Sequence, residues 1–263
     1  MPCTGNPGKQ AIKIGQMMDT LGRSNRTFLI SFTGGGEPFL VGNLTDACSA
    51  LTKKQHYVSL VTNLTSVKVE EFAERIDPKK VPFILASLHI KELERKGLVD
   101  RFVSNFALLK GKGFNMFARE VAHPSLLKEA DKYRKYFMER GIELHFAPFF
   151  GKFNNRRYPD AYTMEELRVF GLNRKMDVQI FHQFGKLCNA GHNVAFVDEN
   201  GDIRPCFNIK QNLGNIYVRI DFLGGLKKCP FKACECPLNV FYIDLFNEAL
   251  RKKSAAGKPC QDF

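Results

Sequence analysis

The sequence predicts an α/β fold: a parallel sheet forming an open or partial (β/α) barrel, followed by a small cysteine-rich extension with a β-hairpin. Three observations carry this. Short apolar, strand-like runs alternate with amphipathic stretches over the first two-thirds of the chain, the pattern of βαβ units with both sheet faces covered. The alternation stops after Phe149. Five of the eight cysteines then fall between Cys188 and Cys236.

Taken in order, a helix around Gln10 to Leu21 precedes the first strand, Thr27 to Thr33, which a glycine turn ends. A helix from about Asn43 to Lys54 leads to a second strand, Tyr57 to Thr62, and a helix near Val67 to Ile76. Val81 to Ser87 is a third strand, followed by helical sequence from about Ile90 to Lys110. Asn115 to Arg119 is a shorter fourth, before a helix from about Ser125 to Arg140 that Gly141 can end. Ile142 to Ala147 is the fifth. Five strands do not close an eight-stranded barrel, but the active site is still expected at their carboxyl ends.

Beyond Phe149, Gly151 to Tyr162 reads as a polar, aromatic connector, and Thr163-x-x-Glu166 has the form of a capping box. Val194 to Val197, the turn Asp198-Glu-Asn-Gly201, and Asp202 to Cys206 form a predicted hairpin, since Asn200 and Gly201 both tolerate positive φ. It brings Cys188 and Cys206 toward one end. A last helix is predicted from about Val240 to Lys253, with Cys260 in a frayed tail. The expected divisions are a barrel over 1–150, a connector over 151–186 and the cysteine-rich unit over 187–263.

Composition narrows the function. With 263 residues, 44% hydrophobic and 25% charged, the chain can bury a full core and is ordinary for a soluble protein. No apolar run reaches membrane-span length, and the amino terminus lacks a secretory core, so a cytoplasmic setting with reduced or metal-bound cysteines is expected. The net charge of +12 favours anionic partners. Its clusters, Lys79-Lys80, Arg156-Arg157, Lys227-Lys228 and Arg251 to Lys253, form no single stripe and carry no base-stacking aromatics. Nucleic acid is therefore not the expected partner.

Two constellations carry chemistry. One is Thr33-Gly-Gly-Gly-Glu-Pro38, at the carboxyl end of a strand, where glycines let a ligand approach the backbone and Glu37 offers a carboxylate to an ammonium group. The other joins Cys188, twelve residues, Gly201, four residues and Cys206 to the knot Cys229-Pro-Phe-Lys-Ala-Cys234-Glu-Cys236. Such thiolates suit a structural zinc or an iron–sulfur cluster. Cys48 reads as a small core hydrophobe, and the 24 phenylalanines as core filling. His89 could line the site; the other five histidines have no ligand spacing.

A strand ending in Gly-Gly-Glu-Pro, one ending in Thr62-Asn63 and one ending in Ser87-Leu88-His89 together resemble the radical S-adenosylmethionine enzymes. The cysteine block, with Leu213-Gly-Asn-Ile216, resembles their SPASM or shorter Twitch extension. The resemblance implies that Gly35, Gly36 and Glu37 bind the methionyl amino group of S-adenosylmethionine, with Asn63 and Ser87 on its ribose or carboxylate. It implies one auxiliary 4Fe–4S cluster on Cys188, Cys206, Cys229, Cys234 and Cys236, of which one is spare. It also implies a peptide or protein side chain as substrate and an electron donor such as flavodoxin or ferredoxin. The radical-generating cluster of such enzymes needs Cys-x3-Cys-x2-Cys before the glycines, and here only Cys3 precedes them. Cys3 would be its third ligand, in a chain expected to lack its first barrel strand and two further ligands. Two rivals remain: a non-catalytic iron–sulfur or zinc protein, and a basic zinc ribbon that binds nucleic acid.

Overall fold

The computed structural model describes residues 11–34, 36–178 and 184–232. Its centre is a five-stranded parallel sheet in the order β1 (Leu29–Phe32), β2 (Tyr57–Thr62), β3 (Ile84–Ser87), β4 (Met116–Ala122) and β5 (Leu144–Pro148). Between them run α2 (Leu44–Lys53), α3 (Val69–Arg75), α4 (Ile90–Lys96), α5 (Val99–Gly111) and α6 (Ala130–Met138), and α1 (Ile14–Arg23) precedes β1. Sequential order with crossovers of one hand stacks the helices on the same side of the sheet. Burial follows. Val58, Leu60, Thr62, Ile84, Ala86, Ala118, Glu120 and Ala122 are buried on the helix side, whereas Val61, Ser87, Phe117, Arg119 and Val121 on the opposite side are half-buried.

That second face corrects the expectation that helices cover both sides. It is the concave interior of a partial barrel, and only Ser59, Phe83 and Leu85 on it are fully or nearly buried. An apolar run cannot distinguish a helix-covered face from a barrel lumen, because both remove side chains from water. The phenylalanines fill the helix side as expected. Phe39 and Phe72 meet edge to face at 5.7 Å and Phe102 and Phe137 at 6.0 Å, all fully buried. Cys48 is buried in α2, where burial pushes its thiol up to about 12.

Boundaries moved for identifiable reasons. The helical sequence after Ile90 is two helices, because Gly97 takes a left-handed conformation (φ 64°) and ends α4. The fourth strand runs three residues further than expected, to Ala122, and the following helix opens only at Ala130 after a 3₁₀ turn at Pro124–Leu126. Gly141 (φ 72°) ends that helical stretch as predicted. The connector holds a hairpin, β6 (Gly151–Phe153) and β7 (Arg156–Tyr158), whose Asn154 and Asn155 both adopt positive φ. Then comes α7 (Met164–Phe170), opened by the predicted capping box: Thr163 Oγ1 accepts the Glu166 N–H, and Glu166 accepts the Thr163 N–H.

Three short ribbons follow: β8 (Leu187–Cys188) with β13 (Lys227–Lys228), β9 (Phe196–Val197) with β10 (Ile203–Arg204), and β11 (Gly214–Asn215) with β12 (Arg219–Ile220). The β9–β10 ribbon is the predicted hairpin, although only Gly201 (φ 86°) of its turn takes positive φ. A Cβ there would also lie 2.6 Å from the Tyr217 ring. These ribbons pack on the start of the barrel. Arg23 donates to the Val218 carbonyl at 2.6 Å, and Phe28 stacks on Phe222 at 6.3 Å. The helix predicted over Val240 to Lys253, and Cys260, lie outside the described residues. No helix among the described residues is long and apolar enough to cross a membrane.

At the foot of β2, His56 is buried and its Nδ1 accepts the Phe28 N–H at 3.3 Å. Burial, aided by the Lys80 charge, holds it below its ordinary 6.5. A histidine depressed on folding stabilises the protein above its unfolded value and loses that contribution as pH falls. Denaturant midpoints are therefore expected to drop as pH falls below about 6.5, and to drop less in His56→Asn; equal slopes for the two proteins would refute this.

Candidate functional site

The site is built at the carboxyl ends of the parallel strands. β1 ends in a tight turn in which the Gly36 N–H donates to the Gly34 carbonyl at 2.7 Å, with Gly34 at φ 105°. Among the described residues nothing lies within 4 Å of the position a Gly34 Cβ would take, so the turn presents bare backbone to open space. Gly35 lies outside the described residues.

The Glu37 carboxylate is engaged within the fold. Its Oε1 accepts the Thr62 hydroxyl at 2.6 Å and the Phe39 N–H at 3.2 Å, and its Oε2 accepts the Asn63 N–H at 2.7 Å. The carboxylate latches the glycine turn of β1 to the end of β2. The exposed peptide groups of the turn, rather than this carboxylate alone, are left to meet a ligand.

Asn63 and Ser87 do come together. Thr62 pairs with Ala86, so the next residues, Asn63 and Ser87, lie side by side, and Ser87 pairs with Arg119, which pairs with His145. This polar row crosses four strands on the concave face. Asn63 Oδ1 is held by the Thr65 N–H and hydroxyl at 3.0 and 2.7 Å. Sequence reasoning missed Arg119; its signal was the charged pair Arg119-Glu120 inside a strand that is apolar at its other five positions. His89, the N-terminal flank of α4, is exposed in a left-handed conformation (φ 46°).

The rim beyond β4 and β5 is aromatic. His123 packs against Phe149 at 4.5 Å and Phe153 at 4.8 Å, its Nδ1 lies 2.7 Å from Ser125 Oγ, and burial holds its pKa below the ordinary value. Tyr162 fixes this rim: its hydroxyl donates to the Ala122 carbonyl at 2.6 Å and accepts the Phe149 N–H at 2.8 Å. Glu166 anchors the β6–β7 hairpin through Tyr158 (2.9 Å) and Arg156 (3.2 Å). Burial opposes its ionisation, but the Thr163 N–H, the Tyr158 hydroxyl and Arg156 together hold the carboxyl below its usual range.

The second constellation lies in the ribbons. Cys188 sits in β8 opposite Lys227; the Cys229 N–H donates to the Lys186 carbonyl at 2.9 Å, and its own carbonyl accepts the Gly185 N–H at 2.9 Å. Cys206 and Cys229 are buried and Cys188 is half-buried. Burial raises the Cys188 thiol, the nearby Cys229 and Cys206 raise it further, and the Ala190 N–H opposes them. Cys206 and Cys229, from separate stretches, thus both lie within electrostatic reach of Cys188. Among the described residues no three His, Cys, Asp or Glu side chains are gathered closely enough to hold a metal ion. Cys3, Cys234 and Cys236 lie outside the described residues. The donor type, thiol, is the one that a thiophilic centre, zinc or iron–sulfur, uses.

The five-stranded partial parallel barrel has the fold of the radical S-adenosylmethionine enzymes. Among solved structures it is similar to native anSMEcpe with bound AdoMet, at 19% identity over 92% of this chain and 87% of that one, with a TM-score of 0.54. It is also similar to native anSMEcpe with bound AdoMet and Kp18Cys peptide, at 18% identity over 92% and 88%, with a TM-score of 0.56. Streptococcus suis SuiB bound to precursor peptide SuiA matches at 17% identity over 80% of this chain and 56% of that one, with a TM-score of 0.51. No protein-family model and no curated protein matches the sequence.

Proposed function

We propose that this chain binds S-adenosylmethionine and an auxiliary cluster in the radical modification of a peptide or protein side chain. The observation that carries the reading is the open glycine turn of β1, latched by Glu37 to the end of β2, beside the polar row Asn63, Ser87, Arg119 at the carboxyl ends of the strands. The turn supplies peptide groups for the methionyl amino group; Ser87 and Arg119 supply a hydroxyl and a cation for its carboxylate, and Asn63 an amide for the ribose. Glu37 orients the turn. The aromatic rim excludes water above the mouth and offers apolar contacts to a peptide.

Iron–sulfur chemistry, when present, supplies the electron that cleaves S-adenosylmethionine to methionine and a 5′-deoxyadenosyl radical, which takes hydrogen from the substrate. Cys188, Cys206 and Cys229, with Cys234 or Cys236, would hold the auxiliary cluster, and Cys3 would belong to the radical-generating one. The barrel would occupy 1–150, the connector 151–186 and the cluster-bearing unit 187–263. The similarity to structures with bound AdoMet and with peptide supports this reading.

Equilibrium dialysis with labelled S-adenosylmethionine tests it. Binding is expected, and in Gly34→Val it is expected to weaken at least about tenfold, because a β-branched residue does not adopt positive φ. Wild-type affinity in a folded Gly34→Val protein would overturn the assignment.

A further inference from the structure

The aromatic rim holds one polar group that the proposed function leaves without a role, the imidazole of His123. Val121 pairs with Ala147 and Ala122 with Pro148, so His123 and Phe149 follow side by side where β4 and β5 leave the sheet. His123 is four residues beyond Arg119, about 13 Å further along the chain of β4, and so stands outward of the polar row. Its ring packs against both Phe149 and Phe153, at interplanar angles of 66° and 74°. Phe149 is itself pinned. The Tyr162 hydroxyl accepts its N–H, and its ring lies over Gly151, where a Cβ would sit 2.6 Å from Cζ. Rings held by this many contacts lose little freedom when a ligand arrives.

Hydrogen bonding fixes which imidazole nitrogen carries the proton. The Ser125 backbone N–H donates to His123 Nδ1 at 3.3 Å, and an N–H can only donate, so Nδ1 presents its lone pair. The Ser125 hydroxyl, 2.7 Å from the same atom, then donates as well. Burial favours the neutral ring. A neutral imidazole whose Nδ1 accepts carries its hydrogen on Nε2. Among the described residues Nε2 takes no partner, and it is not sealed from solvent. The rim therefore offers one neutral N–H donor beside two half-buried phenylalanine rings. A carboxylate or phosphate would shed its water against those rings, at far greater cost than a neutral acceptor. The neutral acceptor that every peptide carries is its main-chain carbonyl.

We infer that His123 is a specificity-determining residue of the mouth: its Nε2–H donates to a main-chain carbonyl of the peptide substrate, and Phe149 and Phe153 seat the apolar side chain beside that carbonyl. The inference deepens the proposed peptide-modifying function and rests on it. No bond is made or broken at the imidazole. Together with the two rings it sets which residue of the peptide stands over Asn63, Ser87 and Arg119. An aromatic or large aliphatic residue is selected at that position, and glycine or a charged residue is rejected.

The test titrates the full chain with N-acetyl-para-fluorophenylalanine methylamide, whose fluorine resonance reads binding in any variant. Saturable binding is expected, with N-acetylglycine methylamide competing at least about tenfold less well for want of the apolar ring. His123→Asn keeps an acceptor for the Ser125 N–H, since asparagine suits that cap, but has no atom at the Nε2 position. Its affinity is expected to fall at least about fivefold, with circular dichroism unchanged. His123→Gln, whose NH₂ reaches that position, is expected to bind more tightly than His123→Asn. Nitrogen resonances of histidine-labelled protein are expected to show the His123 proton on Nε2 and to shift as the probe binds. A proton on Nδ1, equal affinity in wild type and folded His123→Asn, the reverse order of the two variants, or glycine competing as well as the phenylalanine probe overturns the subsite. So does uridine monophosphate shifting the His123 resonances at lower concentration than the probe. Failure of the wild type to bind S-adenosylmethionine in dialysis instead overturns the proposed function, while the probe, which needs neither that ligand nor iron, still judges His123.

Discussion

Replacing Glu37 with alanine is expected to lower S-adenosylmethionine affinity about 100-fold, by the loss of three hydrogen bonds at about 1 kcal/mol each. The Phe39 N–H, the Thr62 hydroxyl and the Asn63 N–H all lose their acceptor at once. The glycine turn is then free of the end of β2, and its peptide groups no longer hold one orientation. Glu37→Gln separates this latch from simple charge. Its amide oxygen can accept the Asn63 N–H and its NH₂ can donate to Thr62, whose hydroxyl oxygen already accepts the Leu64 N–H at 3.0 Å. Only the Phe39 N–H is left unpaired, so the expected loss is about tenfold. Dialysis of labelled ligand, with circular dichroism to verify folding, checks both values. Unchanged affinity in Glu37→Ala would remove Glu37 from the site.

Cys206→Ala is expected to reduce iron after anaerobic reconstitution from about four atoms per chain to below about one, with Cys188→Ala and Cys229→Ala behaving alike. Cys206 and Cys229 both lie near enough to Cys188 to act on its thiol. Cys48→Ala is the control: it sits in the barrel core, its thiol pushed up to about 12, and iron content should not change. Iron and sulfide analysis with visible absorption reads the outcome. One zinc per chain and no sulfide would instead assign a structural zinc centre.

The part of this protein legible in its sequence is the part governed by local rules. The five strands and their order of appearance follow from apolar runs separated by amphipathic ones, and β2 was read residue for residue. The capping box at Thr163 and Glu166, the turn at Gly201 and the helix stop at Gly141 follow from backbone geometry that only certain residues satisfy. The Asn154–Asn155 hairpin obeys the same chemistry. Its three-residue strands are too short to show alternation in the sequence.

What the sequence determined by itself was the presence of a glycine turn after a strand and a set of clustered thiols, because residue type and spacing fix both. Tertiary structure decided which face of the sheet stays open, that Glu37 is a latch, and that Arg119 joins Ser87 in one row. Those outcomes depend on crossover hand, strand register and contacts between residues 25 or more positions apart. Such pairings form only when separate segments share one core, and no local window of residues encodes them.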